Sequence, residues 1–311
     1  MPLVAPSVQQ ASANGTSPLA LADTSRPGSA APLGQDPAVQ SRPGSQVLAE
    51  FGVEPGLLQR LEGGQGRTWV VGDLVVKPVG DVAEAEWVGA VLRDLPERGF
   101  RLSRPVRSRT GRWTVAGWSA WSRVDGHHDV STRWGDVLAA GEALHDALRE
   151  VPRPDFMDAR DNIWVEGERA AWDDDAPRVI HRSLVPLAEQ LAAFRTRHRA
   201  PDQIVHGDLT GNVLFAEGLA PAIIDFTPYW RPVGFASAVV VADAIAWHGA
   251  TSALADALSD ADEPRSMLAR AALFRLITSD RAALSRGDDA STYLRENLAA
   301  HSRILDALRA M

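Results

Sequence analysis

The chain has 311 residues, 45% of them hydrophobic, which is enough to bury the cores of two lobes. Its formal charge of −8 and sequence pI near 5.5 argue against a general nucleic-acid binder, whose surface must be cationic toward phosphates, and fit a cationic or neutral partner better. Cysteine is absent, which removes disulfide frameworks and thiolate zinc sites and makes the cytoplasm the expected compartment.

In chain order, residues 1–45 are rich in Ala, Ser, Pro, Gly and Gln without periodicity, so they read as a disordered tail that cannot offset its own ordering entropy. No apolar block follows a basic start, as a secretory signal would require; the first basic residue is Arg26. Order is expected from residues 47–51 and 57–61. Gly63-Gly64-Gln65-Gly66 separates this segment from residues 68–71, and Gly72-Asp73 separates those from residues 74–77. Short β-branched runs divided by Gly and Gly-Asp are strand and hairpin signals.

From Asp81 to Leu95 the spacing turns helical. Trp87, Val88, Val91, Leu92 and Leu95 share one stripe, Asp81 stands at the cap, and Glu84 projects from the middle of the apolar face while Glu86 points elsewhere. Residues 102–107 and 113–124 read as two further strands, with Trp113, Trp118 and Trp121 as packing. Asp125-Gly126 breaks the strand pattern and marks a lobe boundary, giving expected lobes at 46–124 and 125–311. Beyond it, Val137, Leu144, Leu148 and Val151 form one helical stripe. Leu184, Leu187, Leu191 and Phe194 form another, with Ser183 as its cap. The run 236–247 is too short to span a bilayer and carries Asp243, so it is a core helix. The fold class expected is α+β, with a strand-rich N-lobe and a mainly helical C-lobe.

Three separated features carry chemistry. His206-Gly207-Asp208-Leu209-Thr210-Gly211-Asn212 forms a polar loop before a strand, Ile223-Ile224-Asp225-Phe226 puts a carboxylate at the end of the next strand, and Lys77 ends the third N-terminal strand. Of the 32 basic residues Lys77 is the only lysine, so it is set apart from a surface charge that this sequence supplies as Arg. Phosphoryl transfer uses these types: a carboxylate to orient and deprotonate a hydroxyl, an amide oxygen and a carboxylate for magnesium, and a cation on the nucleotide phosphates. Taken singly, each has an ordinary reading as a turn residue or surface charge.

At these residues the chain resembles the aminoglycoside phosphotransferase family, a branch of the protein-kinase-like fold, over residues 57–250. It is also similar to an actinobacterial subgroup through the run from His206 to Phe215 and through Pro228-Tyr229-Trp230-Arg231-Pro232. The resemblance implies a bilobal kinase-like fold in which Asp208 is the catalytic base and His206 stabilises its loop. It makes Asn212 and Asp225 ligands of Mg2+, and Lys77 the binder of the α and β phosphates with Glu84 as its helix partner, or Glu86 in reserve. Gly64 and Gly66 would lie over the phosphates, Arg123-Val124-Asp125 would be the hinge reading the base, and Asp243 a structural helix residue.

The implied activity is transfer of the γ-phosphate of ATP (or GTP) to a hydroxyl of a small molecule, aminoglycoside-like, amino-alcohol or sugar-amine, which could be cationic. Asn212 follows Asp208 by four residues where the kinase pattern has five. The thirteen residues from Asn212 to Asp225 keep the family separation, so the shortening falls at positions 209–211, where Gly211 can absorb it. The Gly-rich loop also lacks the G-x-G-x-x-G spacing, and no Ala-Pro-Glu segment follows Asp225, which speaks against a protein kinase. The shortened loop motivates a second reading, a catalytically inactive kinase-like regulator that binds a nucleotide or partner. Asp173-Asp174-Asp175 and His127-His128 read as solvated turns. Asp155, Asp158 and Asp161 lie where a cationic substrate could be met.

Overall fold

The computed structural model describes residues 42–54, 56, 58–61 and 67–311. Only residues 42–45 of the expected tail fall within them, and the Gly-rich loop with Gly64 and Gly66 lies outside them. Helix α1 (Ser45–Glu50) buries Val47 and Leu48 beneath a sheet made from β1 (Gln59–Arg60), β2 (Trp69–Val71) and β3 (Leu74–Pro78). Next comes α2 (Val82–Arg93), capped by the Asp81 carboxylate, which accepts from the Glu84 N–H at 3.0 Å. Its Val88 and Leu92 are buried, as the stripe requires.

Two expected strands divide. Residues 102–107 hold β4 (Arg101–Leu102) and β5 (Pro105–Val106), which join different sheets. Ser103 and Arg104 bridge the change, the Ser103 N–H donating to Ile223 O at 3.1 Å and the Arg104 N–H to Ser122 Oγ at 2.7 Å. Residues 113–124 hold β6 (Thr114–Val115) and β7 (Trp118–Ser122), joined by Ala116 and Gly117 at φ +46° and +79°. Two positive φ values at the tip form the tight turn whose twist matches the strands. The N-lobe sheet runs β1-β2-β3-β7-β5, with β6 also on β7, all antiparallel.

The C-lobe continues with β8 (His127–His128), α3 (Trp134–Leu148), α4 (Phe156–Ala159), α5 (Ile163–Trp172) and α6 (Val185–Ala192). Ser183 does not cap α6; it lies inside a 3-10 turn, Arg182–Leu184, and Pro186 opens the helix instead. Then follow β9 (Gln203–His206), β10 (Val213–Phe215), β11 (Ala222–Ile223), β12 (Pro228–Arg231), α7 (Val233–Trp247), α8 (Pro264–Ala282) and α9 (Ala290–Ala310). Helix α7 is buried on nearly every side, which explains its unbroken apolar sequence. Helix α8 is equally buried but carries Arg270, Arg275, Thr278, Ser279 and Asp280. Among the described residues, no helix is long and apolar enough to cross a membrane.

Candidate active site

Strand β9 pairs with β12, Pro228 opposite His206, and delivers the polar loop to the end of the C-lobe core. Gly207 must be glycine for space, because a Cβ there would stand 2.2 Å from the Tyr229 ring. The Asn212 N–H donates to Leu209 O at 2.9 Å, closing a tight turn with Gly211 at φ +77°, the left-handed position that glycine adopts freely. Gly211 therefore supplies the conformation through which the loop closes. The β10–β11 hairpin pairs Val213 with Ile223, and the Ile224 N–H donates to Asn212 O at 3.0 Å. Asn212 and Asp225 thus stand at one end of one hairpin.

His206 is fully buried. Its Nδ1 accepts the Asp208 N–H at 3.2 Å and its Nε2 lies 3.3 Å from Ile224 O, which selects the tautomer protonated on Nε2. Burial lowers its pKa to about 4, against the opposing pull of Asp208, so the ring is neutral and ties the loop together. The His206 N–H in turn donates to Nε2 of buried His145 on α3 at 3.0 Å, and burial lowers that pKa to about 3. His145 was not foreseen, since it reads in sequence as one more position on the α3 stripe.

Asp208 is held from two sides. Asn212 Nδ2 donates to its carbonyl at 2.7 Å, and Arg275 Nη2 donates to its Oδ1 at 2.8 Å. Arg275 projects from α8, is 3% exposed, and also grips Asp243 through Nε at 2.8 Å and Nη2 at 2.6 Å. Burial opposes the guanidinium charge, but the Asp243 and Asp208 carboxylates overcome it and raise its pKa. Sequence reasoning found Asp243 and missed Arg275. A single arginine inside the apolar run Ala271-Ala272-Leu273-Phe274-Arg275-Leu276-Ile277 was the available signal.

Asp225 adopts φ +49°, a left-handed conformation uncommon outside glycine, and its side chain is 51% accessible. It forms an ion pair with Lys77, whose ammonium lowers the carboxyl pKa. Lys77 Nζ also sits 4.8 Å from the centroid of the Trp121 ring, so one tryptophan of the packing cluster also cradles this cation. Neither candidate glutamate pairs with Lys77. Glu84 lies 3.3 Å from Arg160 Nε, and Glu86 accepts from the Trp113 and Thr114 N–H groups. The expected Lys–Glu pair is replaced because Arg160 claims Glu84 and Asp225 claims Lys77.

Arg123 and Val124 link β7 to β8, the Arg123 N–H donating to Asp73 O at 2.8 Å. Among the described residues, the Val124 backbone takes part in no protein hydrogen bond. His127 and His128 are solvent-exposed, as expected, but do not form a turn. They form β8 against β10, and the His128 ring lies against the Gly211 backbone near Asp225. Asp173, Asp174 and Asp175 are exposed, as a solvated loop should be.

A two-lobed sheet-and-helix chain that gathers Lys77, Asp208, Asn212 and Asp225 at its lobe junction has the architecture of kinase-like phosphotransferases. A family model described as "Phosphotransferase enzyme family" matches residues 58–229, more than half of the chain, which belongs to that family. A search of curated protein sequences found no match. Among solved structures, spectinomycin phosphotransferase APH(9)-Ia, in complex with ADP and spectinomycin, is 13% identical with a TM-score of 0.55, covering 85% of this chain and 96% of its own. Choline kinase LicA from Streptococcus pneumoniae is 12% identical with a TM-score of 0.55, covering 86% and 98%. Aminoglycoside phosphotransferase APH(4)-Ia, as a thermostable mutant, is 16% identical with a TM-score of 0.53, covering 86% and 99%. At these identities the likeness concerns the fold.

Proposed function

We propose that the protein transfers the γ-phosphoryl group of ATP (or GTP) to a hydroxyl of a small molecule, with Asp208 as the catalytic base. The observation that carries this reading is the junction itself: one hairpin end presents Asn212 and Asp225, a braced loop presents Asp208, and Lys77 reaches them from the other lobe. The donor set fits magnesium, a hard ion usually held by one or two protein oxygens together with phosphates. Asn212 commits its Nδ2 to the Asp208 carbonyl, so its Oδ1 remains as a donor beside the Asp225 carboxylate. When bound there, magnesium would neutralise charge on the transferring phosphoryl group.

This chain's residues do the rest. Lys77 takes the α and β phosphates once it leaves Asp225, and the unbonded Val124 backbone at the 123–124 link reads the base. Glu84 pairs with Arg160. As the acceptor oxygen forms its bond to phosphorus, the bond to the β–γ bridging oxygen breaks. The hydroxyl proton passes to Asp208 and the nucleoside diphosphate leaves. His206 moves no proton; it holds Asp208 in place.

Asp208→Asn is expected to lower turnover by about 10²–10⁴-fold while nucleotide still binds, measured by phosphate transfer and by calorimetric titration of ATP. Full activity in that variant would remove Asp208 from its role. The second reading, a non-catalytic regulator, draws on the bond by which Arg275 occupies one Asp208 oxygen. It predicts magnesium-dependent ATP binding without transfer to any acceptor.

A further inference from the structure

A small cationic pocket is linked to the loop that carries Asp208 through a shared neighbour, Tyr229. Gly207, just before Asp208, packs under the Tyr229 ring, and Tyr229 lines a cavity of about 90 Å³ between the α4–α5 region and β12. Arg160 connects the two, its Nη1 donating at 2.7 Å to the carbonyl of Pro228, which pairs with His206. The cavity walls carry four guanidiniums, Arg153, Arg160, Arg169 and Arg231, against two carboxylates, Asp158 and Glu168. That leaves two positive charges in excess, or one if Glu84 behind Arg160 is counted, in a chain whose net charge is −8.

The internal bonds leave donors over. Arg153 grips Asp158 at 2.5 and 3.1 Å, Arg231 pairs with Glu168 through Nε, and Arg169 spends one Nη on the Met157 and Asp158 carbonyls. Each guanidinium has five N–H groups. The Arg160 side chain is only 8% exposed; its Nε is ion-paired with Glu84 at 3.3 Å and its Nη1 bonds the Pro228 carbonyl, so the N–H groups it has left for a ligand are those remaining on its Nη atoms. Size decides between ligand classes. About 90 Å³ is far below the ~300–1,000 Å³ of sites for drug-sized molecules. The pocket admits one compact group, and several ammonium groups brought against these arginines would be repelled.

We propose that the acceptor is a small hydroxyl compound bearing a carboxylate or phosphate group, which seats against Arg160 and Arg231 and turns its hydroxyl toward Asp208. This rests on the phosphotransferase reading but is tested separately from it. In thermal-shift titrations, inorganic phosphate should stabilise the Lys77→Ala protein, in which the proposed nucleotide-phosphate cation is gone, and should fail to stabilise Lys77→Ala/Arg231→Gln. Arg153→Gln, at the more exposed rim, supplies a second variant expected to weaken the same shift. Phosphate that leaves Lys77→Ala unshifted, or that shifts the Arg231→Gln protein equally, overturns the proposal.

A turnover panel with magnesium and ATP then compares hydroxy acids, sugar phosphates and polycationic aminoglycosides. Hydroxy acids or sugar phosphates should be preferred, which also tells carboxylate from phosphate, and Arg231→Gln should raise their KM about tenfold or more. Preferential turnover of a polycation, unchanged in Arg231→Gln, overturns the anionic acceptor while leaving the phosphotransferase standing. Failure of ATP and magnesium to stabilise the wild-type chain is instead a failure of the phosphotransferase reading.

Discussion

Asp208 and Asp225 stand seventeen residues apart in sequence and, with carboxylates that are 46% and 51% exposed, differ in what holds them. The loop around Asp208 is packed: His206 and Leu209 are buried, Thr210 is 7% exposed, and buried Arg275 fixes the carboxylate from α8. Asp225 is half-accessible, sits on a left-handed backbone, and is held by Lys77 from the other lobe. One carboxylate is set by the C-lobe core before any ligand arrives. The other is left adjustable, where nucleotide phosphates and magnesium would replace the ion pair. On the proposed function, preorganisation is thus concentrated at the residue that must be aimed, in keeping with catalysis by positioning.

The sharpest way to break this comparison is Arg275→Met. Removing one partner of a buried ion pair strands the others, so the unfolding free energy should fall by about 3–5 kcal/mol, read by urea denaturation. Adding Asp243→Leu should recover part of that loss, because the stranded carboxylate goes with it. A cost below about 1 kcal/mol for Arg275→Met would mean that the core does not brace Asp208.

Acid probes the same side next. His145 and His206 have folded pKa values near 3 and 4, below the usual 6.5, so the unfolded chain takes up protons that the native fold refuses. Their contribution is complete above pH 6.5 and is lost as pH falls from there toward 4 and below. Stability should decline through that window. His145→Gln should flatten the slope by about one proton, or about 1.4 kcal/mol per pH unit. An unchanged slope would place the acid sensitivity elsewhere.

How legible this was follows the same divide. The Asp208 loop, the strand-end Asp225 and Lys77 could be found because their chemistry is carried by residue types in local runs with fixed order. Their braces could not. Arg275 and His145 lie 67 residues after and 63 before Asp208, and only the packing of α8 and α3 brings them to it. The Lys77–Glu84 expectation failed for a related reason. Helical spacing singled out Glu84 on the face of Trp87 and Val88, but its partner Arg160 comes from a segment whose position no local pattern encodes. The strand at 102–107 divided because Ser103 and Arg104 exchange hydrogen bonds with two sheets, and short apolar runs do not say which sheet they join.

The smallest expected effect belongs to Asp225. Its ion pair with Lys77 is solvent-accessible, with side chains 25% and 51% exposed, and pairs of that kind contribute about 0–1 kcal/mol. Asp225→Asn should therefore change the unfolding free energy by less than about 1 kcal/mol, because Asn also tolerates φ +49° and loses only the charge. Asp225→Ala should cost about 1–2 kcal/mol more, since Ala pays the full left-handed penalty. Equal effects of Asn and Ala would show that the backbone there relaxes and stores no strain. In both variants magnesium-dependent ATP binding should weaken even though stability hardly moves in Asn, a separation the braced Asp208 side does not permit for Arg275. If Asp225→Asn instead unfolded the protein as readily as Arg275→Met, the two carboxylates would be equally structural, and the contrast between a fixed and an adjustable side of the site would fall.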